Sequence, residues 1–169
     1  MAPPLPEEPD IADIQATLGE LYGAVAAHLR VSEGDESVLV RAAAIHHPDT
    51  LAMTVAVSIG EQFRRIAAHR GLTSVRLGQI LDDAYAELDS SGGPTGALLA
   101  TARAHLIGDE ETVRSSVGDV VSSGEVAEVV RAGVALIAEA LRWRASDEHV
   151  DPSELATTLC LSTARVGGT

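Results

Sequence analysis

PDTLAMTVAVSIGEQFRRIAAHRGLTSVRLGQILDDAYAEL, residues 48–88, is the stretch whose reading decides the fold. Pro48 suits the first turn of a helix, where its missing N–H would have had no intrahelical partner, and Asp49 lies favourably at the positive end of the helix dipole. Leu51, Val55, Ile59, Phe63 and Ile66 recur at spacings of three and four. Met53 and Val57 make the first half apolar nearly all round, the mark of a central, buried helix. Gly71 and Leu72 fit a left-handed cap followed by its hydrophobic contact. Thr73 then opens a second helix on Leu77, Ile80, Leu81, Ala84 and Leu88. So short a corner is expected to make the two helices neighbours in space.

Working outward, the same helical spacing recurs on both sides. Asp10 opens a helix on Ile11, Ile14, Leu18, Leu21, Val25 and Leu29. Ser32, Asp35 and Glu36 cap a short helix on Val38, Leu39, Ala42 and Ile45, ended at His46-His47 because a residue before proline is pushed out of the α region. After the second helix, Asp89-Ser-Ser-Gly-Gly93 is the strongest break in the chain. Pro94 starts a helix on Leu98, Leu99, Ala102 and Leu106. Asp109-Glu110-Glu111 opens another on Val113, Val117, Val120 and Val121. Gly124 separates it from a helix on Val126, Val129, Val130, Val134, Ile137 and Leu141, expected to end near Arg144. Asp151-Pro152-Ser153-Glu154 is a capping box for a last short helix on Leu155 and Leu159.

No alternating run reads as a strand. The fold class expected is therefore all-α: a single-domain bundle of about seven or eight helices over residues 10–164. Residues 1–9, with four prolines, form an acidic arm, and residues 165–169 a disordered tail. The Ser/Gly turn divides the bundle into possible halves, 10–88 and 94–164. Hydrophobic residues make up 46% of the chain, which places it with globular proteins. Only Tyr22, Phe63, Tyr85 and Trp143 are aromatic, so the core must be Ala, Val, Leu and Ile, which suits closely approaching helices. Cys160 stands alone, which excludes an internal disulfide and points to a reducing cytoplasm. The first ten residues lack the basic start and apolar core of a secretory signal. No apolar run reaches membrane-spanning length.

The net charge of −13 is unevenly spread: residues 1–37 carry −7, residues 38–81 carry +3 and residues 82–169 carry −9. Nucleic acid and anionic membrane repel such a chain as a whole, and only its middle could attract them. There the run Ile66-Ala67-Ala68-His69-Arg70-Gly71-Leu72-Thr73, followed by Leu77, Ile80 and Leu81, resembles the core of a helix-turn-helix. The resemblance implies a DNA-reading second helix within residues 66–81, with Arg64, Arg65, Arg70 and Arg76 as nucleic-acid or partner contacts. Asp82 and Asp83 would bring acid to the groove, beside Gln79. The plainer reading is an αα-hairpin whose arginines pair with acidic neighbours.

Other constellations carry less. Ser90 to Gly96 places small residues and amides at a helix start, a geometry that can hold an anion, but no Gly-Lys-Ser/Thr follows and Asp82, Asp83 and Asp89 oppose a phosphate. The six histidines show no metal-ligand spacing, and nothing ties Cys160 or any serine to a base. Neither cofactor nor metal is expected, and no catalytic residue is assigned. The sequence favours a non-catalytic, acidic helical interaction protein that self-associates, in a scaffold or regulatory role. Its partners are a second copy or another protein; nucleic acid is disfavoured by charge, and no membrane is expected. The alternatives are a helix-turn-helix DNA-binding regulator using 66–81, and a ligand-binding or enzymatic bundle with a site near 90–96.

Overall fold

Among the described residues seven α-helices follow one another: α1 (Ile11–Val31), α2 (Pro48–Arg70), α3 (Ser74–Ser90), α4 (Pro94–Leu106), α5 (Glu110–Ser122), α6 (Val126–Glu148) and α7 (Pro152–Gly167). They belong to a computed structural model that describes residues 11–31, 48–90 and 93–167. The short helix expected over Val38–Ile45, the arm 1–9 and the paired histidines at 46–47 lie outside the described residues. Among the described residues the protein is all-helical with no strand, and no helix is long and apolar enough to cross a membrane.

The helix ends follow the chain's own chemistry. At the foot of α2, Gly71 takes a left-handed φ of 68°. Leu72 N then donates to Ala67 O at 2.8 Å and Gly71 N to Ala68 O at 3.3 Å, the double bond of a Schellman ending. Thr73 Oγ1 accepts from Arg76 N at 3.1 Å and so caps α3. Asp109 caps α5 by accepting from Thr112 N at 3.2 Å. Asp151 caps α7 by accepting from Ser153 N at 2.8 Å. The hydroxyl hydrogen bond from Thr112 holds the Asp109 carboxyl below the usual range, and that from Ser153 does the same for Asp151.

Two ends differ from expectation. Helix α6 continues four residues past Arg144, because Arg144 Nε reaches Glu148 Oε2 at 2.9 Å one turn on. It stops at His149, which adopts a left-handed φ of 57°, while Val150 N returns to Ala145 O at 3.0 Å. Helix α7 runs to Gly167, beyond the expected fraying point at 165, since Ala164 and Arg165 are good helix formers.

The core centres on α2. Val55, Ala56, Ile59 and Ile66 are fully buried, with Leu98 of α4 and Val134, Ile137, Ala138, Ala140 and Leu141 of α6. Two glycines let backbones approach. A Cβ on Gly60 would come within 2.8 Å of His105 Cδ2 and 3.0 Å of Ala102 O, so α2 and α4 cross there. A Cβ on Gly133 would collide with Val55 Cγ1, so α2 and α6 meet at that point. Helices α1 and α7, far apart in the chain, form the most extensive pairing. Small residues line it: Cys160 Sγ donates to Gly19 O at 3.2 Å, and Ala156 is fully buried. Helix α3 packs more on α4 than back on α2, so the corner at 71–73 redirects the chain instead of closing a long antiparallel hairpin.

Candidate functional site

The four arginines singled out in the sequence are not gathered into one site. Arg64 Nη1 pairs with Glu61 Oε1 at 2.8 Å, and its Nη2 donates to His105 O at 3.2 Å. His105 Nε2 lies 3.1 Å from the same Glu61 oxygen, so these three side chains fasten α2 to α4. Arg65 is exposed, on the side of α2 from which its charge reaches Tyr22. Arg70 is turned toward α6. Its Nε and Nη2 hold both oxygens of Asp147, at 2.7 and 3.1 Å. Its guanidinium lies 5.8 Å from the centre of the Trp143 ring, which in turn meets Phe63 edge-on at 6.3 Å. The hydrogen bonds from Arg70 hold the Asp147 carboxyl below the usual range. Arg76 alone of the four stands on α3, exposed, with Nη1 donating to Gln79 Oε1 at 3.3 Å.

One buried polar feature went unread in the sequence. Thr54, Ser58 and Gln62 share a stripe of α2 at spacings of four, and all three are buried. Gln62 Nε2 donates to Tyr22 Oη of α1 at 2.9 Å, while its Oε1 accepts from Arg144 Nη1 of α6 at 3.1 Å. Both ends of the amide are thus satisfied across three helices. Burial pushes the Tyr22 phenol up, and its hydrogen bond with Gln62 offsets only part of that. The signal was present: three polar residues at i, i+4 and i+8 on an otherwise apolar helix must either face water or find buried partners. Satisfied in this way, the chain Tyr22–Gln62–Arg144–Glu148 fixes how α1, α2 and α6 meet.

The remaining feature lies on the outer side of α3 and α4. A cavity of about 80 Å³ opens between them, lined by Phe63, Leu81, Asp82, Gly96, Leu99 and Arg103. Arg103 Nη2 and Asp82 Oδ2 form an ion pair of 2.9 Å on its wall, with both side chains about half exposed. Small-molecule sites run to roughly 300–1,000 Å³, so this one matches a single apolar side chain better than a substrate. It touches the expected ligand region only at Gly96; residues 91 and 92 lie outside the described residues. On the same two helices, Val75 is 61% exposed and Ile107 44% exposed. The two are close, since Ile107 Cγ2 packs over Gly78, one helical turn after Val75. The outer face of α3 is completed by exposed Arg76, Gln79, Asp82 and Asp83.

Among the described residues, no group of three or more His, Cys, Asp or Glu side chains is placed to hold a metal ion. No protein-family model, curated protein or solved structure matches this chain, so the geometry alone carries the functional argument.

Proposed function

We propose that this protein is a non-catalytic helical interaction protein that associates with itself, serving as a scaffold or regulator. The observation that carries the reading is the outer face of α3 and α4, where Val75 and Ile107 are exposed, a side-chain-sized cavity opens further along α3 at Asp82, and charged residues edge the surface. Protein interfaces concentrate their affinity in this way, in a few apolar anchors and pockets surrounded by a polar rim. Symmetric dimers are the commonest assembly for such a surface.

Sedimentation equilibrium at micromolar concentration tests it. A dimer or larger species is expected, and a monomer across that range would sink the reading. The helix-turn-helix alternative makes a contrasting prediction, namely salt-sensitive binding to duplex DNA that weakens in Arg70→Ala and Arg76→Ala. Its support is the exposed Arg76 and Gln79 at the start of α3. Against it stand Asp82 and Asp83 on the same face, and the engagement of Arg70 by Asp147. No DNA binding at low salt would remove that alternative.

A further inference from the structure

The charges on the outer face of α3 are polarised along the helix, and this identifies which partner the face fits. At about 100° per residue, taking Val75 as zero, Gln79 lies at about 40°, Asp82 at about −20°, Arg76 at about 100° and Asp83 at about 80°. Gln79 is therefore the midline. Val75 and Asp82 occupy one side of it, the side turned toward α4, where Gly78 meets Arg103 and Ile107. Arg76 and Asp83 occupy the other. The basic residue is at the N-terminal end and the acidic ones at the C-terminal end.

We propose that the partner on this face is a second copy of the same chain, with α3 packed antiparallel on its counterpart about a two-fold axis at Gln79. That axis runs across the two helices within the interface, so each side of the face meets the same side of its mate. Arg76 of each copy then lies against Asp83 of the other, in two equivalent pairs separated by about 10 Å along the helix. On the opposite side, Val75 of each copy arrives at Asp82 of the other, beside the cavity between α3 and α4. The cavity takes this valine side chain, with Phe63 and Leu99 in its lining. Val75 already projects into solvent, and Asp82, where it arrives, is part of the cavity's wall. Asp82 is already held by Arg103, whereas the Arg76–Asp83 pairs form only between copies. Complementary charge matters here because each chain carries −13 overall, so two copies repel at long range and the Arg76–Asp83 pairs offset that repulsion at contact. Two exposed ion pairs add modest affinity but fix the antiparallel register.

The inference rests on the self-association reading, and charge reversal separates the two. Arg76→Asp and Asp83→Arg lie on an exposed face, so circular dichroism should match the wild type, and melting should match at concentrations where all the proteins are monomeric. Each variant alone places like charges together twice, and its dimer dissociation constant should rise about tenfold or more in sedimentation equilibrium. Mixed in equal amounts, the two variants restore both pairs, and a heterodimer of near wild-type affinity should form. Val75→Ser, which removes the anchor without reversing a charge, should also weaken the dimer. A wild-type dimer that neither charge variant weakens, or variants that fail to recover on mixing, would overturn the α3 pairing while leaving self-association standing. A monomeric wild type would overturn both.

Discussion

Replacing Gly133 with alanine should do damage out of proportion to one methyl group. Its Cβ would occupy the space of Val55 Cγ1 where α2 crosses α6, and Val55 is fully buried. Valine is stiff about χ1, so Val55 cannot swing aside without leaving its rotamer, and the two helices must separate instead. Overpacking of this kind costs about 1–3 kcal/mol, and more where backbone must move. The helix-propensity gain of Gly→Ala, about 1 kcal/mol, offsets part of it. We expect a net loss of about 2 kcal/mol, which lowers Tm by roughly 4–8 °C for a chain of this size. Val55→Ala alone should cost about 2–3 kcal/mol through lost burial and a cavity. Combined, the new methyl occupies the vacated space, and the double variant should be at least about 1 kcal/mol more stable than the sum of the single losses. Urea denaturation of all four proteins makes the cycle. A Gly133→Ala variant as stable as the wild type, or strictly additive losses, would refute the close crossing.

Three further outcomes follow from local geometry. Gly118→Ala is the reverse case, since nothing lies within 4 Å of its would-be Cβ; it should stabilise by about 1 kcal/mol through helix propensity alone. Tyr22→Phe leaves the Gln62 amide, 2% exposed, without its acceptor, and should cost about 1–3 kcal/mol in chemical denaturation. In the wild type the Tyr22 phenol should ionise above the ordinary tyrosine range in an ultraviolet titration; because its folded value is raised, its neutral form's contribution to stability is lost as pH rises through that range. For Asp147 the sign is opposite. Its folded value is lowered, so the unfolded chain takes up the proton first, and the stability contributed by the Arg70 pair is lost as pH falls through and below the usual carboxylate range. Asp147→Asn should be less stable than the wild type at neutral pH, with the gap closing in acid denaturation series.

What could be read in advance was local. The all-α class, the span of α2, the left-handed Gly71 and the caps at Thr73, Asp109 and Asp151 all depend on a few adjacent residues. The extent of α6 was not legible, because its last turn rests on Arg144 reaching Glu148 and on His149, a residue that only occasionally accepts left-handed backbone. Helices α2 and α3 are neighbours as the short corner requires, but the closer packing of α3 on α4 was not legible: a three-residue corner sets proximity at one end only, and the packing of Gly78 against Arg103 and Ile107 draws α3 toward α4. Helical periodicity likewise showed which face of each helix is apolar but not that α1 lies against α7, since a stripe carries no address. The arginines of 64–76 illustrate the same limit. Their charge was visible, but not that Arg64 and Arg70 would be engaged by Glu61 and by Asp147 while Arg76 stays on the outer face.

The central claim is that two copies meet through α3 with Gln79 on the symmetry axis. Cysteine at Gln79, in a Cys160→Ser background, tests it in one measurement, because only a residue on the axis lies opposite itself in the partner. Under mild oxidation the account predicts rapid, near-complete conversion to a covalent dimer on a non-reducing gel, with little from a control cysteine at the exposed Ser115 of α5. No more cross-linking at Gln79 than at Ser115 would contradict it.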